Sequence, residues 1–68
     1  MAKISARGDV EIARWKGEDG EELVLTRKGR LLGKWTRGAS FTLVRTITSV
    51  DALAIAADEA GRRGLARV

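Results

Sequence analysis

The stretch LTRKGRLLGKWTRG, residues 25–38, decides how the chain folds. Lys28-Gly29 separates two apolar-rich runs, and Gly at the second central position suits a tight two-residue hairpin turn. The flanking runs predict antiparallel strands over 22–27 and 30–36. Working outward, the polar Gly17-Glu18-Asp19-Gly20 reads as a second hairpin loop, and Arg37-Gly38-Ala39 as a third break. That leaves strands over 9–16 and 40–47. Short links make consecutive strands neighbours, so the sheet is a meander of three to four strands. Residues 2–7 extend the first strand or fray from it.

Beyond Ile47 the pattern changes. Thr48-Ser49-Val50-Asp51 fits a capping signature, with Asp51 favoured in the first turn of a helix by the dipole. The following Ala-rich run predicts a helix over about 49–62. Leu53, Ala56, Ala57 and Ala60 form its apolar stripe, with Leu53 as the main anchor. Arg62 and Arg63 suit the C-terminus, and Gly61 or Gly64 can supply the left-handed stop. Leu65 and Val68 are placed to fold back on the last turn. The expected architecture is one α+β domain over 1–68, an antiparallel meander packed on one face by a single C-terminal helix.

Three strands repeat the pattern apolar-x-apolar-x-Arg: Val10-Ile12-Arg14, Leu23-Leu25-Arg27 and Phe41-Leu43-Arg45. Alternate residues share a face. The repeat therefore assigns Val10, Ile12, Leu23, Leu25, Leu31, Trp35, Phe41, Leu43 and Ile47 to the helix side. The other face would carry Ala13, Trp15, Val24, Thr26, Lys28, Leu32, Lys34, Thr36, Thr42, Val44 and Thr46.

Charge is unevenly spread around the net value of +4. Residues 1–22 carry four cations against six acids, and residues 51–68 carry three of each. Residues 23–50 hold Arg27, Lys28, Arg30, Lys34, Arg37 and Arg45 with no acid. Such asymmetry points to a polyanionic partner. In a meander Arg27, Lys28, Arg30 and Arg45 gather at one end of the sheet, while Arg14 and Arg37 belong to the other. The blander account is that arginine at a strand end rests its stem on the core and keeps its head in water.

The residue inventory narrows the chemistry. The chain has no Cys and no His, which removes disulfides, thiolate zinc sites and the commonest acid–base group. Ser5, Ser40 and Ser49 have no His to activate them. Gly33-Lys34 lacks the spacing and the hydroxyl residue of a phosphate loop. These features point away from catalysis and imply no cofactor and no metal. The start MAKISARGDVEI lacks the apolar core of a signal peptide, and no run is long enough to span a bilayer, so a cytoplasmic location is expected.

Gly33-Lys34-Trp35 and the Thr, acid and Ala-rich run of residues 48–60 support a resemblance. A three-stranded antiparallel sheet followed by one helix resembles the AP2-type DNA-binding domain and the arm-binding domain of tyrosine recombinases. The resemblance spans residues 22–61. The sequence departs from it in an added acidic N-terminal hairpin arm, and in lacking the dense Arg pattern and helix aromatics of the AP2 type. It implies a sheet laid in the major groove of DNA, with strand Arg and Trp on phosphates and bases. The candidate contacts are then Arg27, Lys28, Arg30, Lys34, Trp35, Arg37 and Arg45. A second reading is a protein-binding module, an inhibitor or adaptor, acting through the outer sheet face or as a homodimer. The acidic loop at residues 18–22 favours it, because like charge repels a phosphate backbone.

Overall fold

The computed structural model describes residues 9–68. The expected extension of the first strand through residues 2–7 lies outside them. Five strands and one helix follow in the order β1 Glu11–Lys16, β2 Glu22–Thr26, β3 Arg30–Lys34, β4 Thr42–Thr46, α1 Ala52–Arg62 and β5 Ala66–Arg67. All pairings are antiparallel, and the spatial order is β4-β3-β2-β1-β5. This is the expected meander with one helix packed on it. The two-residue β5, paired with Trp15 and Lys16, escapes sequence reading because it is too short to show alternation.

The β2–β3 connection is longer than the two-residue turn expected. Gly29 N–H donates to the Thr26 carbonyl at 2.9 Å, so Arg27 and Lys28 occupy the centre of the turn and Gly29 follows them at φ +86°. That is the geometry of a turn closed by a left-handed glycine. A Cβ on Gly29 would also lie 2.2 Å from the Ile47 carbonyl oxygen.

The core lies on one face of the sheet. Ala13, Trp15, Leu23, Leu25, Leu31 and Ile47 meet Ala56 and Ala60 of α1 and Leu65 beyond it, with Val44, Ala52 and Ile55 packed at the margin. Two strands present the opposite face from the one their sequence repeat implied. Val10, Ile12 and Leu43 are 43, 50 and 57% exposed, while Ala13 and Trp15 are buried. The register explains β1: Trp15 sits opposite Leu23, so it must share the face of Leu23 and Leu25. Burying one indole removes more apolar area from water than burying a Val or an Ile. A register irregularity between Glu11 and Ala13 accommodates Ile12. In β4 a second irregularity sets Leu43 opposite Leu32 and Arg45 opposite Leu31, and Val44 packs against the core instead of facing outward. Trp35 lies over Gly33 but remains 40% exposed, so it is a rim residue and not a core one.

The helix stripe is displaced as well. Ala56 and Ala60 are fully buried and Ile55 packs beside them, whereas Leu53 is 46% exposed and does not anchor the helix. Two alanines one turn apart let α1 lie close over β2 and β5. Asp51 is the N-cap and makes no side-chain cap bond. Its own N–H donates to Ser49 Oγ at 3.0 Å. The C-terminus ends as a Schellman motif: Leu65 N–H donates to the Ala60 carbonyl and Gly64 N–H to the Gly61 carbonyl, with Gly64 at φ +74°. The motif turns Leu65 into the core beside Ala60 and aims β5 at β1.

Candidate nucleic-acid interface

One end of the sheet gathers four cations. Arg27 and Lys28 occupy the β2–β3 turn, and Arg30 opens β3. Arg30 pairs in register with Thr46, and Arg45, one residue earlier in β4, stands opposite Leu31. The side chains of Arg27, Lys28, Arg30 and Arg45 are all exposed. Arg27, Lys28 and Arg45 form no ion pair among the described residues. The α1 N-terminus opens shortly beyond Ile47, whose N–H donates to the Gly29 carbonyl at 2.7 Å, so the positive end of the helix dipole lies at this same end. Asp51 at the N-cap offsets part of it.

Backbone and side-chain bonds hold the turn rigidly. Arg27 N–H donates to the Val10 carbonyl at 2.7 Å, and Arg30 N–H donates to Thr26 Oγ1 at 3.2 Å. Asp9, 1% exposed, accepts the Lys28 N–H through Oδ1 at 3.0 Å. Its Oδ2 lies 3.7 Å from Arg30 Nη1, an ion pair beyond hydrogen-bond range. Burial pushes the Asp9 carboxyl up. The Thr26 hydroxyl, the Lys28 N–H and the charges of Arg30 and Lys28 outweigh that and hold it below the ordinary carboxylate value. Sequence reading passed over Asp9 because its partners stand 17 and 19 positions away in the chain, at Thr26 and Lys28.

The remaining candidate contacts lie elsewhere. Lys34 Nζ is 3.6 Å from Glu22 and 5.8 Å from the Phe41 ring centroid, and its side chain is 16% exposed. Glu22 also pairs with Arg14, which in turn binds Glu11 at 2.6 Å. The Arg14 hydrogen bond holds the Glu11 carboxyl below its ordinary value despite partial burial. Glu11, Arg14, Glu22 and Lys34 thus neutralise one another on the face away from the helix. Trp35 carries Arg63 over its ring at 4.3 Å. Arg37 sits in the β3–β4 loop at the opposite end of the sheet. There, with Lys16, Lys34, Glu21 and Glu22, it lines an open depression of about 230 Å³. Of the seven residues the sequence suggested, the structure brings together Arg27, Lys28, Arg30 and Arg45, and separates Lys34, Trp35 and Arg37 from them.

No group of three or more metal-ligating side chains forms among the described residues, and no helix there is long and apolar enough to cross a membrane. No protein-family model, curated protein or solved structure matches the chain.

Proposed function

We propose that the protein binds DNA without catalysis, end-on, through the β2–β3 turn and the adjoining ends of β3 and β4. The observation that carries this reading is that Arg27, Lys28, Arg30 and Arg45 all lie exposed at one end of the sheet. Phosphate contacts by cations on a fixed scaffold supply most non-specific affinity through counterion release. A sheet face laid in the major groove, as the AP2-type resemblance implies, has less support. On that face the charges of Glu11, Arg14, Glu22 and Lys34 are already paired with one another.

The test is charge reversal at exposed residues that form no ion pair among the described residues. Lys28→Glu with Arg45→Glu is expected to remove measurable binding to duplex DNA while circular dichroism and thermal melting stay close to those of the unsubstituted protein. Unchanged affinity in a folded double variant would reject the site. A protein-binding or homodimeric role is the second reading. The exposure of Val10, Ile12 and Leu43 favours it, because these apolar side chains gain from being covered.

A further inference from the structure

We propose that Asp9 sets the strength of this interface by competing with phosphate for Arg30, a role that rests on the nucleic-acid reading above. Arg30 is held in two ways of unequal firmness. Its backbone is fixed by the N–H bond to Thr26 Oγ1 and by pairing with Thr46. Its guanidinium is only loosely held, 3.7 Å from the buried Asp9 carboxylate and with its side chain 49% exposed. Asp9 itself is anchored by the Lys28 N–H and by the adjacent Val10 carbonyl, which accepts the Arg27 N–H. The carboxylate therefore stays in place while the guanidinium can swing.

A phosphate arriving at the turn finds Lys28 and Arg45 with no ion-pair partner among the described residues, but it must draw Arg30 away from a fixed negative charge. That charge is hardly solvated, so water compensates it poorly when Arg30 leaves. Arg30 is thus shared between an internal anion and an external one. Asp9 both shapes the turn that presents the cations and limits how tightly they hold.

Two variants separate these roles. Asp9→Asn keeps an Oδ1 acceptor for the Lys28 N–H, so the turn persists, and removes the charge. Binding of random-sequence duplex DNA is expected to tighten several-fold at low salt, with a log–log salt slope steeper by about one. Arg30→Ala is expected to weaken binding less than Lys28→Ala in the natural chain, and to weaken it clearly more once Asp9→Asn is present. Equal losses from Arg30→Ala in the two backgrounds would overturn the competition, as would unchanged or weaker binding by a folded Asp9→Asn variant. Should Asp9→Asn fail to fold, the comparison of Arg30→Ala with Lys28→Ala still decides: an equal or larger loss from Arg30→Ala contradicts a shared arginine. If the natural chain itself shows no salt-sensitive binding, the nucleic-acid reading fails and takes this role with it. If that chain binds and these comparisons go the other way, only the competition fails.

Discussion

At the scale of single residues, Asp9 links folding to acidity. Its carboxyl sits below the ordinary value because the Thr26 hydroxyl, the Lys28 N–H and nearby cations outweigh the burial that would raise it. A carboxyl lowered in the folded state contributes stability that is present above its unfolded value of about 4 and lost as pH falls through the folded value. Acid should therefore loosen the β2–β3 turn only as pH falls below the ordinary carboxylate value. The expected result is faster amide exchange at Lys28 and Gly29 below about pH 4 than the intrinsic rates account for, with no such change in Asp9→Asn. The two tryptophans give a second test at this scale. Trp15 is 3% exposed within the core, so Trp15→Ala should cost about 3–5 kcal/mol in chemical denaturation, enough to unfold a marginal domain. Trp35 is a rim residue under Arg63, and Trp35→Ala should cost about 1 kcal/mol. The reverse ranking would mean that β1 presents the face its sequence repeat suggested.

At the scale of elements, turns and helix ends carry the specification. Gly29→Ala combines a left-handed backbone with a Cβ placed against the Ile47 carbonyl, so a loss of more than about 2 kcal/mol is expected. The four longer strands, their order and the position of the helix were legible because Gly17, Gly20, Gly29 and Gly38 punctuate alternating runs. Which face each strand turns inward was not. The shared apolar-x-apolar-x-Arg pattern made β1, β2 and β4 look equivalent, yet alternation defines two faces without saying which one meets the helix. That choice rested on the Trp15–Leu23 pairing and on the irregularities near Ile12 and Val44, none of which leaves a local sequence signal. The helix stripe was misplaced for a related reason. In so Ala-rich a run several stripes are nearly equivalent, and the close approach of Ala56 and Ala60 selected one of them. The grouping of Arg27, Lys28, Arg30 and Arg45 was legible because it follows from strand direction alone. The pairing of Lys34 with Glu22 was not, because it crosses from β3 to β2.

At the scale of the whole molecule, the two ends of the sheet differ in charge balance. The β2–β3 turn end carries Arg27, Lys28, Arg30 and Arg45, while at the β1–β2 loop end Glu18, Asp19, Glu21 and Glu22 stand among Lys16, Lys34 and Arg37. The excess of cations at the first end favours a polyanion there over the mixed charges of the other. The outer sheet face between the two ends is internally neutralised and contributes little to either. The most direct measurement is fluorescence anisotropy of labelled random-sequence duplex DNA, titrated with the protein at about 50 and about 200 mM salt. Four phosphate contacts give an expected log–log slope of about −3 to −4, a fall in affinity on the order of a hundredfold across that range. An absence of binding at the lower salt, or binding indifferent to salt, would contradict an interface built from these cations and leave the exposed Val10, Ile12 and Leu43 as the surface to pursue.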